Sequence, residues 1–248
     1  MSADHVSDAP APPARRGQSG GRNRLLSALA PEDFAAIEPQ LEPVTHENGE
    51  VPAAAGEPWR HVYFPETAIA SVISRMEGGG AVEVRTIGNE GMVGVPVLLD
   101  ASAEAVETVT QIPGTALRLP AEALARAADA RPRLRRLLHR YTHAYLTQVS
   151  QSAACNRLHS IEQRCARWLL MTHDRVDRVD RFPLTQEFLA IMLGVRRAGV
   201  TVAAGALQDS GLIRYRRGSI QVLDRAGLEA AACPCYGIVR REFDRLLP

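Results

Sequence analysis

The sequence predicts an α+β chain in three parts: an N-terminal β-roll of the jelly-roll type, a long helix, and a C-terminal winged helix-turn-helix. Short β-type runs between glycine turns fill the first half, an amphipathic stripe follows, and a helix-turn-helix spacing lies near the end. We place the boundaries at a disordered tail 1–22, a β-roll domain 23–131, a long helix 132–155 and a winged helix domain 156–248.

The composition is that of an ordinary globular chain. Its 248 residues are 46% hydrophobic and carry a net charge of +1, so any basic surface must be local. All 29 basic residues are arginine. No apolar run approaches the roughly 18 residues of a membrane span, and the N-terminus lacks the apolar segment of a signal peptide. We therefore expect a cytoplasmic protein that does not contact membranes.

The N-terminal segment, 1–22, consists mainly of Ala, Pro, Gly, Ser and charged residues, a composition typical of disorder. Asn23 is placed to cap a short helix that ends at Leu29. Pro31 is placed to begin a second helix, which ends near Leu41. These two helices should lead into the β-roll.

The β-roll is predicted from short runs of β-branched and aromatic residues between turn residues, notably the glycines of 78–80 and 88–91. Their close spacing favours a roll or sandwich of about 80 residues. Strands are expected at 61–64, 69–75, 81–87, 92–97, 106–111 and 115–119.

A long helix is predicted from Pro132 because apolar side chains recur there with heptad-like spacing, up to a break at 155–156. A lone amphipathic helix would bury this stripe against its own domain. We favour a dimer helix, because the helix-turn-helix that follows would then come as a pair, and paired recognition helices bind half-sites about 34 Å apart. The dimer contact is assigned to Leu134, Leu138, Tyr141, Tyr145 and Val149.

Residues 184–215 have the spacing of two short helices around a tight turn, followed by a strand. Ala190 is small enough for the helices to approach, and Gly194 can adopt the positive φ of the turn. Arg196 and Arg197 then begin the second helix, the end that enters a major groove in DNA-binding proteins. The plainer interpretation is a helical hairpin with two solvated arginines. The wing is expected from strands at 212–215 and 219–223.

Four segments carry a resemblance to a known family: HVYFP at 61–65, GNEGMVG at 88–94, LTQEFLAIMLGV at 184–195 and LQDSGLI at 207–213. With the order of the parts, they resemble the Crp/Fnr superfamily of bacterial transcription regulators, whose N-terminal domain is of the cyclic-nucleotide-binding type. The resemblance implies a homodimer whose β-roll senses a signal and whose winged helix binds a palindromic operator in double-stranded DNA. It also implies a contact with RNA polymerase near 175–181.

The effector pocket implied by the resemblance lies at the turn of Gly88, Glu90 and Gly91. Cyclic-nucleotide-binding members follow this turn with an arginine that pairs with the cyclic phosphate. Here no arginine occurs from 86 to 117, and Asp100, Glu104 and Glu107 occupy that region instead. A phosphate would lack its bidentate partner, so we expect cyclic AMP and cyclic GMP to bind weakly or not at all.

Other cofactors of the superfamily also lack ligands in this sequence. The iron–sulfur branch needs an N-terminal cysteine cluster, whereas the first cysteine here is Cys155. His46 and His61 are solitary, and a structural role is the better interpretation than haem ligation. We expect no cofactor.

The predicted recognition helix departs from familiar members of the superfamily. Arg197 matches the arginine that contacts guanine, whereas Ala198 and Val202 stand where a glutamate and a second arginine are usual. The operator should therefore differ from the common TGTGA and TTGAT half-sites.

The positions of residues in the motif imply which of them would contact DNA bases and which would contact phosphates. Arg197, with Arg196 and Thr201, is assigned to base edges. Thr185 and Gln186, at the start of the first helix, are assigned to a phosphate. Across 184–223, five arginines outnumber two acids. The phosphate contacts of the wing are assigned to Arg214, Arg216 and Arg217.

The cysteines do not suggest a joint site. Cys155, Cys165, Cys233 and Cys235 are too few and too uneven for a disulfide framework, and Cys233-Pro-Cys235 lacks the two-residue spacer of zinc and redox motifs. We expect buried or incidental thiols and no metal site. No nucleophile–base motif indicates an enzyme. The alternative function is a sensory or protein-binding module that has lost specific DNA binding, which Ala198, Gly199 and Val202 would favour.

Overall fold

The computed structural model describes residues 21–176 and 180–247. The predicted tail therefore lies almost wholly outside the described residues. The structure begins with helix α1 (Arg24–Ser27), which Asn23 caps as expected by accepting a hydrogen bond from the Leu26 amide at 3.0 Å. Helix α2 (Pro31–Ile37) follows, with a proline in its first turn.

Six strands form two antiparallel three-stranded sheets, which confirms the expected β-roll. One sheet has the order β1-β6-β2 and the other β4-β3-β5. The strands are β1 (Glu42–His46), β2 (His61–Pro65), β3 (Ile69–Arg75), β4 (Ala81–Ile87), β5 (Glu107–Ile112) and β6 (Gly114–Pro120).

The strand expected at 92–97 is wrong. Val93 makes only an isolated bridge to Tyr63, and the chain then enters a 3₁₀ helix at Val95–Leu99. Gly94 has a φ of 106°, outside the β region, and Pro96 removes a backbone donor. These two residues turn the chain away from the sheet, although the apolar residues around them resemble a strand.

Two helices follow the roll, α3 (Ala121–Ala130) and α4 (Pro132–Leu158). The expected break at 155–156 is wrong, because α4 continues unbroken to Leu158. Three of the five residues assigned to a dimer contact, Leu134, Leu138 and Tyr141, are buried within their own chain. Tyr145 and Val149 are half-buried.

The C-terminal part has the expected winged helix, with one strand more than the sequence predicted. Strand β7 pairs with β9, so the wing sheet has the order β7-β9-β8. The elements are α5 (Ile161–Arg175), β7 (Arg181–Pro183), α6 (Gln186–Leu193), α7 (Arg197–Asp209), β8 (Ile213–Arg216), β9 (Ser219–Val222), α8 (Arg225–Ala231) and α9 (Cys235–Leu246).

The last helix returns to the N-terminal core. Val239, Phe243 and Leu246 of α9 pack with α1, α2, α3 and α4 rather than with the helix-turn-helix. Among the described residues, no single helix is long and apolar enough to span a membrane. Helices α6 and α7 would reach that length only together, and they are bent by 99° relative to each other.

The sheet β4-β3-β5 packs directly against the helix-turn-helix helices. Ile69 and Ile73 of β3 share a buried cluster with Trp168 of α5 and Leu189 of α6. Polar contacts cross the same boundary: the Trp168 indole donates to the Glu83 carboxyl at 2.7 Å, and the Gln111 amide donates to Thr172 at 3.2 Å. The two parts of the chain therefore share one buried interface.

Candidate nucleic-acid interface

Helices α6 and α7 form a bent pair around a tight turn. Their axes differ by 99°, within the range of helix-turn-helix motifs. Gly194 ends α6 with a φ of 60°, as predicted, and the Val195 amide donates to the Ala190 carbonyl at 3.0 Å. A buried apolar seam joins the two helices, since Leu189, Leu193, Val200 and Ala203 are all buried.

The first turn of α7 presents an exposed polar cluster. Arg196 is its N-cap residue and Arg197 its first residue, and both are exposed. The side-chain oxygen of Gln186 accepts from Arg197 Nε at 3.2 Å and from Thr201 Oγ1 at 3.4 Å. Three residues predicted from separate positions in the motif therefore lie together on one exposed face. Val202 follows on α7 and is 66% exposed.

Thr185 caps helix α6. Its side-chain oxygen accepts from the Phe188 amide at 3.1 Å, so the hydroxyl holds the first turn of α6 in place. The hydroxyl proton remains free to donate, and Thr185 is itself exposed. The start of α6 thus lies beside the cluster of Gln186, Arg197 and Thr201.

The wing carries an open, basic groove. It encloses about 380 Å³, and no carboxylate belongs to the described residues that line it. Arg217 and Gly218 form the tip of the hairpin with φ values of 50° and 74°, as a two-residue hairpin turn requires. The groove is lined by Arg181, Arg214, Arg216, Arg217, Ser219 and Gln221.

Sequence reasoning missed Arg181. It belongs to β7, whose three residues are too few for a recognisable strand pattern. The pairing of β7 with β9 places Arg181 opposite Gln221, and Gln221 is opposite Arg214 on the other side. The basic surface is therefore wider than the three wing arginines that were predicted.

The turn proposed as an effector pocket is occupied by other parts of the same chain. Arg175 of α5 donates to Glu90 Oε1 from Nε at 3.1 Å and from Nη2 at 2.7 Å, and both side chains are buried. Burial would raise the pKa of Glu90, but the Arg175 guanidinium outweighs it and holds that pKa below its usual value.

The two glycines of the turn are equally enclosed. A Cβ on Gly88 would lie 2.7 Å from the Arg175 side chain, and one on Gly91 would overlap the Tyr141 phenol. The Tyr141 hydroxyl donates to the Met92 carbonyl and accepts from the Met92 amide, each at 2.8 Å. No sequence pattern links Glu90 to Arg175, which lies 85 residues later.

Arg85, just before the turn, is buried against α4. Its Nη2 donates to the Tyr141 hydroxyl at 2.8 Å, and its guanidinium lies 3.8 Å from the centre of the Tyr145 ring. Two other nitrogens of Arg85 find no partner among the described residues. The cavity beside them is about 20 Å³, room for a single water molecule.

The cysteines are buried, as expected, but they are not independent. Cys155, Cys233 and Cys235 form one cluster, with 3.4 Å between the sulfurs of Cys155 and Cys233. Cys165 lies elsewhere, in the core of the helix-turn-helix domain. The expectation of buried thiols is therefore confirmed, and the end of α4 and the start of α9 bring three of the four together.

Residues 163–231 match the family described as the Crp-like helix-turn-helix domain. A search of curated proteins by sequence found no match. Among solved structures, a CRP/FNR-family transcriptional regulator from Thermus thermophilus is 21% identical, with a TM-score of 0.62 over 77% of this chain and 98% of that one.

Two other similar structures have comparable coverage. FixK2 from Bradyrhizobium japonicum is 15% identical with a TM-score of 0.65, over 78% of this chain and 98% of its own. The c-di-GMP-responsive global regulator CLP from Xanthomonas campestris is 15% identical with a TM-score of 0.63, over 77% and 98%. Together with the helix-turn-helix geometry, these matches show that residues 163–231 form a Crp-like helix-turn-helix domain and that the chain has the fold of these regulators.

Proposed function

We propose that the protein is a homodimer that binds a specific, palindromic operator through the N-terminal turn of α7. The observation that carries this proposal is the exposed cluster of Gln186, Arg197 and Thr201 beside a groove lined by arginines. Arginine at the start of a recognition helix suits the paired acceptors of guanine in the major groove. The protein would act in the cytoplasm, where it meets both DNA and RNA polymerase.

Arg197 and Arg196 are proposed to contact base edges, with Thr201 next along the same face. Thr185 and Gln186 are proposed to hold a phosphate at the start of α6. Arg214, Arg216 and Arg217 are proposed to contact the DNA backbone, together with Arg181, which lines the same groove. Ala198 and Val202 supply no polar contact, so the operator should differ from the half-sites of the superfamily.

The test separates base contacts from backbone contacts. Selected genomic fragments and random DNA are titrated with wild type, Arg197→Ala and Arg216→Ala at several salt concentrations. Arg197→Ala should cost about 1–3 kcal/mol on the operator and far less on random DNA. Arg216→Ala should weaken both DNAs alike and reduce the salt slope by about 1.

Equal losses on both DNAs for Arg197→Ala would refute its proposed contact with a base. Failure of the wild type to select any fragment would favour the alternative function, a sensory or protein-binding module without specific DNA binding. Arg126→Ala, in an exposed ion pair on α3 and outside the motif, is a suitable control.

We also propose that the β-roll does not bind cyclic nucleotides. Glu90 is already paired with Arg175, and Tyr141 fills the space beside Gly91. The cavity beside Asn89 and Glu90 measures about 80 Å³, whereas ligand pockets usually measure roughly 300 Å³ or more. Calorimetry with cyclic AMP and cyclic GMP should show millimolar or absent binding. A micromolar dissociation constant would contradict this proposal.

The dimer contact is proposed for the outward face of α4. Leu146 is 54% exposed there, and Tyr145 and Val149 are half-buried beside it. Leu146→Arg should lower the dimer fraction in sedimentation equilibrium, because a charge would be buried between the helices. Leu99→Arg is the matched control, since Leu99 is 59% exposed but lies on the β-roll. A monomeric wild type, or equal effects of both variants, would contradict this assignment.

The contact with RNA polymerase remains a proposal that rests on the family resemblance. It would involve the segment 175–181, of which residues 177–179 lie outside the described part of the chain. Arg175 itself is buried against Glu90 and is not part of an exposed surface.

A further inference from the structure

Four side chains from two distant parts of the chain lie close together where the end of α4 meets the start of α9. Cys155 and His159 lie one helical turn apart at the C-terminal end of α4, and Cys233 and Cys235 flank Pro234 at the start of α9. One ligand atom from each, three sulfurs and a ring nitrogen, all lie within 4.8 Å of one another. Each cysteine is fully buried and His159 is half-buried.

The spacing of these atoms fits one tetrahedral metal ion. Zinc–sulfur bonds of about 2.3 Å and zinc–nitrogen bonds of about 2.0 Å place two sulfurs about 3.8 Å apart, and a sulfur and a nitrogen about 3.5 Å apart. The Cys155 and Cys233 sulfurs are separated by 3.4 Å, and Cys235 Sγ lies 3.6 Å from His159 Nδ1. A disulfide would instead require about 2.05 Å between sulfurs.

The surroundings also suit a metal–thiolate centre. Gln151 donates to the Cys235 sulfur at 3.1 Å, the kind of outer contact that orients a metal ligand. Three thiolates and a neutral histidine around Zn²⁺ leave one negative charge. Arg164 and Arg167 of α5 lie within electrostatic reach of Cys155, and they supply compensating positive charge.

We propose that Cys155, His159, Cys233 and Cys235 bind one structural Zn²⁺ ion. The donor set is three thiolates and an imidazole, a closed arrangement typical of structural zinc, with no position left for a substrate. The ion would fasten the end of α4 to the start of α9. Because α9 packs on the N-terminal core, the ion would also fix how the chain returns from the winged helix to that core.

The test is metal analysis of the full chain, purified under reducing conditions. Wild type should contain one zinc ion per chain, and Cys155→Ser, Cys233→Ser and Cys235→Ser should lose it. Cys165→Ser is the matched control: it removes a buried cysteine outside the cluster and should keep its zinc. Gln151→Ala leaves all four ligands and should weaken zinc binding by about 10–100-fold.

A second measurement avoids dependence on variants that fail to fold. Wild type stripped by a chelator and titrated with Co²⁺ should show a thiolate-to-cobalt charge-transfer band and the strong visible bands of a tetrahedral ion, both lost on adding Zn²⁺. A stripped wild type that takes up neither metal would overturn the proposal. So would zinc content unchanged in Cys233→Ser, stoichiometric iron and sulfide, or a Cys155–Cys233 disulfide in metal-free protein.

Discussion

Glu83 is a buried carboxyl at the boundary between the β-roll and the winged helix. It accepts hydrogen bonds from Trp168 at 2.7 Å and from Thr86 at 2.9 Å, and Arg167 is the nearby cation. Burial nevertheless dominates and raises the pKa of Glu83. An acid whose pKa is raised on folding stabilises the native state fully at pH values below the unfolded pKa. That contribution is lost as the pH rises through the folded pKa.

Glu83→Gln should therefore make the free energy of unfolding less dependent on pH. The amide keeps an oxygen for the Trp168 indole and cannot ionise, so the variant should gain stability over wild type as the pH rises above about 4.5. Urea unfolding at several pH values measures this, with exposed Glu122→Gln as the control. A variant that loses stability relative to wild type between about pH 5 and pH 8 would contradict the argument.

Single residues were predictable from sequence where the determinant is local. Asn23 as a helix cap and Gly194 as the left-handed turn depend only on their near neighbours, and both are confirmed. Glu90 was predictable as a residue of interest but its partner was not. Arg175 lies 85 residues later in the sequence, and the two side chains pair only through the tertiary fold. No local sequence pattern predicts such a contact.

Among the elements, α7 contains a glycine with no structural need to be one. A Cβ at Gly205 would meet nothing within 4 Å, and the backbone there is helical. Gly205→Ala should raise the free energy of unfolding by about 1 kcal/mol, because alanine has the higher helix propensity. Gly194→Ala is the contrasting variant, since its φ is 60° and a Cβ would lie 2.8 Å from Val82.

Denaturant unfolding of the two glycine variants distinguishes these effects. The expected order of stability is Gly205→Ala, then wild type, then Gly194→Ala. Gly194→Ala should also loosen the contact between the helix-turn-helix turn and β4, because Val82 belongs to that strand. Destabilisation by Gly205→Ala would show that the surroundings of α7 are tighter than the structure indicates.

Elements were predictable where their apolar pattern is long enough. The bounds of β3 and β4 agree with the sequence prediction, since each has seven residues between clear turns. Strand β7 has only three residues and depends on its partner β9, so it has no pattern of its own. The stripe on α4 was correctly predicted to be apolar, but sequence cannot say whether a partner helix or the same chain covers it.

At the scale of the whole molecule, polar contacts and a shared apolar core hold the β-roll and the winged helix together. The Glu90–Arg175 ion pair crosses this boundary, with both side chains buried. Arg175 also donates to the Met171 carbonyl at 2.7 Å, and the Gly88 amide donates to Glu90 at 3.1 Å. The pair therefore joins the turn of the β-roll to the end of α5.

A double-mutant cycle should show that this pair couples the two parts. Glu90→Gln and Arg175→Met should each cost about 3–5 kcal/mol, because each leaves a buried charge without its partner. The double variant should be more stable than the sum of the two losses predicts, because it leaves no unpaired charge. Strict additivity in urea unfolding would contradict the coupling.

The same pair should also determine how the protein responds to acid. Arg175 holds the pKa of Glu90 below its usual value, so the pair stabilises the native state fully above the unfolded pKa of about 4.5. That contribution is lost as the pH falls through the folded pKa of Glu90. Wild type should therefore lose stability below about pH 4.5 more steeply than Glu90→Gln, in which this position cannot be protonated. Equal slopes for the two proteins would mean that the groups responsible for acid unfolding lie elsewhere in the molecule.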